Sequence, residues 1–231
     1  MDALQYSLGA RLSRLARRNL LAHAQTGMTL PEATITIERI AYGGAGIGRL
    51  PDGRVCFVHR TLPGERVLVQ VTKSKKNLVE ADLVKLLEAS PDRVPPKCPV
   101  FGECGGCAYQ HADYDLQLEI KTTQVAELLR RIGGISDVEV RPMLASPEQW
   151  GYRNRLSVHT DSGNVGFYHR KSHHLVDVAE CPIASNEVNA LLTELWKKPP
   201  RYSGRLTLRE GGAARGFSQV NSGAAELLAN T

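Results

Sequence analysis

The sequence predicts an all-β barrel of OB type followed by an α+β unit with a mostly antiparallel sheet. Three observations predict it. Short apolar-alternating runs separated by turn residues fill the stretch from Thr34 to Leu87. A proline-rich break, Ser90 to Pro96, follows. Two helical stretches then stand among further short strands.

In the first unit Thr34-Ile35-Thr36-Ile37 alternates as a half-buried strand does, and the glycine-rich run Ala41 to Gly48 follows. Pro51-Asp52-Gly53 is a turn, Val55 to Val58 a strand, and Leu62-Pro63-Gly64-Glu65 a second turn. Val67 to Val71 and Val79 to Leu87 complete the set, with Lys73 to Lys76 as a basic loop. No helix is needed within the barrel. Gly44 to Gly48 superficially resembles a nucleotide-binding loop. It leads into a turn and a strand instead of a helix, so tight β turns explain it better.

Beyond the break, Asp113 is placed to cap a helix whose apolar face is expected to be Leu116, Ile120, Val125, Leu128, Leu129 and Ile132. Gly133-Gly134 ends it. Strands are expected at Arg155–Thr160, Val165–His169, Leu175–Val178 and Arg205–Arg209. Ser185 or Asn186 caps a second helix carrying Val188, Leu191, Leu192, Leu195 and Trp196.

The chain has 231 residues, 42% hydrophobic and 23% charged, with a net charge of +5. That is an ordinary balance for a chain with its own core. No apolar run reaches the roughly 18 residues a membrane-crossing helix needs, and no membrane partner is expected. The mild basic excess admits a nucleic-acid partner without requiring one. Residues 1–28 hold Arg11, Arg14, Arg17 and Arg18 among leucines, with few acids. An organelle presequence has that composition. An N-terminal extension, disordered or helical, with Met28 as the natural start, is preferred.

Five cysteines is an odd count, and their spacing does not suit a secreted disulfide protein. A cytoplasmic chain with reduced thiols is expected. Three thiols crowd into Cys98-Pro99-Val100-Phe101-Gly102-Glu103-Cys104-Gly105-Gly106-Cys107, and Cys181 stands alone in Glu180-Cys181-Pro182. Structural zinc usually takes two short knuckles. One exists here, and the three-plus-one pattern with Cys-Pro is more typical of [4Fe-4S] ligation. Spacing leaves both metals open, along with four unrelated reduced thiols. The His173-His174 pair is a weaker metal candidate. Cys56 lies in an apolar strand and is expected to pack.

At these residues the chain resembles the RNA uracil-C5-methyltransferase family, in the branch with a TRAM domain and a [4Fe-4S] cluster that acts on large-subunit ribosomal RNA. The matching pieces are Gly43 to Gly48, Pro63 to Val67, Cys98 to Cys107 with Gln110-His111, and Tyr152-Arg153-Asn154-Arg155. Gly166-Phe167-Tyr168, Cys181-Pro182-Ile183 and Phe217-Ser218-Gln219-Val220-Asn221 complete the series in order. The resemblance implies a TRAM barrel over 29–90, a cluster domain over 91–215, and a stub of the S-adenosylmethionine-dependent domain over 216–231. It implies Cys98, Cys104, Cys107 and Cys181 as cluster ligands. Gln219, and with less weight Asn221, would contact S-adenosyl-L-methionine.

The family's chemistry uses a cysteine that adds to uracil C6 and a base that removes the C5 proton. No position here matches either residue, so no catalytic residue is assigned. The nucleophile and the base are expected to lie beyond Thr231, where this sequence stops. The Rossmann-like methyltransferase domain is expected to be essentially missing, the chain to be an inactive fragment, and RNA its partner as a monomer. A non-enzymatic RNA-binding module and a zinc-stabilised β protein are the competing readings. Basic groups at Arg66, Lys73, Lys75 and Lys76, and at Arg153, Arg155, His169, Arg170, Lys171, His173 and His174, would meet phosphates. Tyr152, Phe167 and Tyr168 could stack on bases or equally fill the core.

Overall fold

A computed structural model describes residues 31–212 and 219–230. The expectation for residues 1–28 lies outside them, as does the Phe217-Ser218 part of the last motif. Thr231 lies outside them too, so the expectation that the nucleophile and base follow it meets no structural observation here.

Alternation along the first unit closes a barrel. Strands β1 (Glu32–Ile40), β2 (Ala45–Arg49), β3 (Val55–His59), β4 (Arg66–Ser74) and β5 (Leu78–Glu88) run in the order β1-β2-β3-β5-β4, and β4 returns to β1. The β3–β5 pair is parallel and the others antiparallel. Inward residues alternate as the period of two requires: Ile35 and Ile37, Cys56 and Val58, Val67, Val69 and Val71, Val79 and Ala81 are all buried. Fully burying each Val contributes about 1.5–3 kcal/mol. The basic loop is shorter than the sequence predicts, because Lys73 and Ser74 still belong to β4.

Glu65, fully buried, locks the barrel to the segment that leaves it. Its carboxylate accepts from the Leu62 amide (2.8 Å) and the Ser90 amide (3.3 Å), and pairs with the Arg93 guanidinium. A buried carboxylate persists because every lone pair finds a donor.

Helix α1 (Tyr114–Arg131) starts at Asp113, whose side chain accepts from the Leu116 amide. Its packing corrects the sequence reading. Ile120 and Leu116 join the barrel core, with Tyr109 beside them. Val125 is 39% exposed and Ile132 81% exposed, so the expected stripe is only partly an inner face. The position that is buried instead is polar. Gln124 donates to the Ala41 carbonyl (2.9 Å) and to the Tyr109 hydroxyl (3.0 Å), tying the helix to the barrel's glycine turn.

The second sheet has four antiparallel strands in the order β8-β7-β6-β9, formed by β6 (Arg155–Asp161), β7 (Asn164–Tyr168), β8 (Leu175–Asp177) and β9 (Gly204–Arg209). Helix α2 (Asn186–Lys197), capped by Ser185, lays Val188 and Leu192 on Leu156, Val158, Val165 and Val176. A short helix α3 (Ser222–Ala229), capped by Asn221, follows. The only parallel strand pair among the described residues is β3–β5. No doubly wound sheet is present in them.

Candidate metal centre

The cysteine segment folds back on itself because its carbonyls and amides close tight turns. The Phe101 amide donates to the Cys98 carbonyl (3.1 Å) and the Cys104 amide to the Val100 carbonyl (3.0 Å). Gly105 sits against β7: its amide donates to the Tyr168 carbonyl at 3.0 Å, and an added Cβ would stand 3.1 Å from that oxygen. A side chain there would push the segment off the sheet. Its start is held by Gln110, a buried side chain whose Oε1 accepts from the Cys98 amide at 3.0 Å. The Arg170 guanidinium donates to the Cys107 carbonyl.

Cys181 arrives from the segment between β8 and α2. Asn189 on α2 fixes it with a reciprocal pair: the Cys181 amide donates to Asn189 Oδ1 (2.8 Å) and Asn189 Nδ2 donates to the Cys181 carbonyl (3.0 Å). Asn189 was missed in the sequence. A polar residue one position after a buried Val in a helix carries no local signal of such a role.

All four expected ligands, Cys98, Cys104, Cys107 and Cys181, line one cavity of about 250 Å³. All are free thiols. Desolvation raises Cys181 to about 11, and neighbouring thiols push the same way. Burial also raises Cys98 and Cys104. No three His, Cys, Asp or Glu side chains among the described residues converge closely enough to hold one metal ion. The four thiols share a cavity without forming a single-ion site.

Two further features concern charge. Arg153 and Arg155 line the same cavity. Arg153 Nε is buried without a hydrogen-bond partner among the described residues. An orphaned guanidinium donor beside a thiol-lined cavity suits an anionic occupant.

Cys56 is what the sequence predicts. It is fully buried in the barrel, and desolvation pushes its thiol up to about 11. Such a thiol is inert. Gly44 is explained as well: its φ is +89°, and an added Cβ would lie 2.8 Å from Ala108 Cβ, so this barrel turn abuts the end of the cysteine segment.

Gln219 is exposed, and its carbonyl accepts from Asn154 Nδ2 at 2.8 Å. Its neighbour Val220 lines the cysteine cavity. Asn221 is occupied structurally, accepting from the Ala224 amide and donating to Ser146 Oγ at 2.8 Å.

Of the basic groups, Arg66 pairs with Glu88, Lys73 with Glu80 and Lys171 with Asp82. Phe167 lines the cavity, whereas Tyr168 is 39% exposed.

Comparison with known proteins adds a family to this geometry. Residues 31–84 match the TRAM domain. An RNA methyltransferase of Halalkalibacterium halodurans, itself uncharacterized, is 41% identical over 165 residues, 70% of this chain and 36% of that protein. One from Synechocystis is 42% identical over 168 residues, 71% of this chain and 36% of its own length. About 70% of the chain is thus similar to proteins named as RNA methyltransferases, and its barrel to the TRAM domain. It spans little more than a third of the length of the curated relatives it matches. Among solved structures, the tRNA (uracil-54, C5)-methyltransferase of Pyrococcus abyssi, in complex with S-adenosyl-L-homocysteine, is 30% identical. It has a TM-score of 0.50 and covers 77% of this chain and 42% of that one.

Proposed function

We propose that this chain is the RNA-recognition part of an S-adenosyl-L-methionine-dependent RNA uracil-C5-methyltransferase, with a [4Fe-4S] cluster in its cysteine cavity. The observation that carries the reading is the similarity of 70% of the chain to RNA methyltransferases, joined to its TRAM barrel. Uracil C5 as the methylated position is supported by the ordered motifs and by the activity named for the Pyrococcus abyssi protein.

The donor set fits the cluster. Each iron of a cubane takes one thiolate, so its ligands must surround a volume. Cys98, Cys104, Cys107 and Cys181 bring four thiols to one cavity, which supports the reading, and Arg153 offers an unused donor. When bound, the cluster supplies metal–sulfur bonds that join the segment from Cys98 to Cys107 to the distant Cys181. Its role is structural, since methyl transfer requires no electron transfer. Asn189 and Gln110 hold the thiols in place beforehand. Gln219 is proposed to reach S-adenosyl-L-methionine, on the strength of its motif. No cysteine here is assigned as nucleophile: Cys56 is sealed in the barrel and the other four line the cavity.

Methyl transfer tests the reading. The longest natural protein carrying these residues is incubated with labelled S-adenosyl-L-methionine and transcripts of large-subunit ribosomal RNA and transfer RNA. 5-Methyluridine in the ribosomal transcript is the expected product. Its appearance only in transfer RNA would move the substrate toward that of the structural neighbour, and its absence from both would defeat the reading. Anaerobic purification followed by metal analysis tests the cluster. Iron and sulfide in equal amounts are expected; stoichiometric zinc without sulfide would replace the cluster with zinc.

A further inference from the structure

Helix α2 covers one face of the second sheet, and the cysteine cavity reaches the other only at its Arg155–Ser157 end. Helix α2 packs on the side of Leu156, Val158, Val165 and Val176. On the opposite side the β6–β9 register sets Arg155 beside Arg209, Ser157 beside Thr207 and His159 beside Arg205. Arg205 and Thr207 are exposed there, and Arg205 donates to Ser157 Oγ across the strands at 3.4 Å. The His159 ring on β6 stacks on Tyr168 of β7 with centroids 3.9 Å apart and planes 25° apart. The His173 ring stands edge-on to Tyr168 at 5.2 Å.

Two properties set this face apart. The first is uncompensated charge. The cations Arg39, Arg66, Lys73 and Lys171 at the barrel each meet a carboxylate. Arg205, exposed on β9, is in no ion pair among the described residues. The carboxylates on this sheet hydrogen-bond elsewhere, Asp177 accepting from Trp196 Nε1 and the Val165 amide and Asp161 from the Ser162 and Ser203 hydroxyls, and neither forms an ion pair with Arg205. The second property is a partly exposed ring stack beside that guanidinium. Phosphates complement the charge, and an unpaired base complements the stack.

We propose that this open sheet face is a docking platform for an unpaired stretch of RNA. A base extends the His159–Tyr168 stack, and Arg205 takes a flanking phosphate. Desolvation, Arg205 and His173 lower the His159 pKa from its usual value, which favours the neutral ring for stacking at physiological pH. The cysteine segment steadies the platform. Gly105 donates to the Tyr168 carbonyl (3.0 Å), and the Arg170 amide, two residues on, donates to the Glu103 carbonyl (3.2 Å). The proposal rests on the RNA reading above and names the surface it uses.

The test is anisotropy titration of the 231-residue chain with a labelled uridine-rich single strand of about ten nucleotides and a duplex of equal length, over a salt series. Wild type is expected to prefer the single strand. Tyr168→Ala should weaken binding about tenfold, and Tyr168→Phe should restore it. Arg205→Gln should reduce the salt slope by about one phosphate contact. Circular dichroism confirms that each variant folds. If wild type binds the single strand but Tyr168→Ala and His159→Ala bind as well as it does, the platform is overturned and the RNA reading survives. Preference for the duplex overturns the platform too. Binding of neither RNA by wild type sinks both.

Discussion

The barrel and the second sheet solve the same problem in opposite ways. The barrel closes on itself: β4 pairs back to β1, and its core of valines and isoleucines is sealed by the strands that carry it. Closure leaves no unpaired edge. The second sheet stays open. Its edge strand β8 has three residues, one face is covered by a single helix, and the long connection from Arg131 to Arg155 has no helix or strand. What closes it is the cysteine cavity, which draws a segment preceding α1 onto β7 and reaches across to Cys181. A unit with a modest core stands to gain from cross-links through the cluster proposed for that cavity, where a closed barrel needs none.

The sharpest way to break that contrast is to remove one link. Cys181→Ser should cost the second sheet several kcal/mol in the metal-loaded protein, because metal binding contributes directly to folding. Hydrogen exchange should rise along β6–β8 and remain unchanged along β1–β5. Uniform loss across both units would show that they are not independently held.

The next largest effect runs the other way. Glu65→Ala should destabilise the barrel by about 3 kcal/mol, since it strands the Arg93 charge and leaves two amides without their acceptor. Arg93 is 22% exposed at its side chain and can partly rehydrate, so the low end of the range applies. Denaturant melts followed by metal content should show a weaker barrel and an intact cysteine cavity.

Acid should act where the two units meet. His111 is buried against Thr61 and Phe101, and burial lowers its pKa to about 4, with Arg93 adding to the effect. The unfolded chain takes up the proton near pH 6.5, while the fold refuses it until about 4. This contribution is therefore complete above about pH 6.5 and is lost as the pH falls toward 4, with a slope of at most about 1.4 kcal/mol per unit. His111→Gln should flatten the stability profile in that window, as read by denaturant midpoints at successive pH values.

The smallest expected effect sits on α1. Asp113→Ala removes the cap and should cost about 1 kcal/mol. Because α1 packs on the barrel core, a thermal melt should place that loss on the barrel.

Much of this contrast is legible in the sequence. The barrel strands announce themselves because alternation with a period of two maps directly onto inward and outward faces. The four cysteines are marked by crowding and by the distant Cys181. The face of α1 is less legible. Apolar periodicity nominates Val125 and Ile132, yet both reach solvent, while Gln124 goes inside because Ala41 and Tyr109 supply partners from elsewhere in the chain. No helical pattern encodes such a partner. The platform behaves likewise. Tyr168 stands out as a residue type, but His159 and Arg205 acquire meaning only when strand register sets them side by side. Asn189 shows the same limit, since its task is defined by a backbone turn eight residues away.

The order in which the cavity's walls are synthesised also matters. Cys98, Cys104 and Cys107 leave the ribosome together, ahead of α1, β6, β7 and β8, and Cys181 comes only after all of these. Throughout that interval the nascent chain presents three neighbouring thiols whose fourth companion has not yet been made. Any occupant requiring all four must arrive late, on a chain whose barrel is already complete.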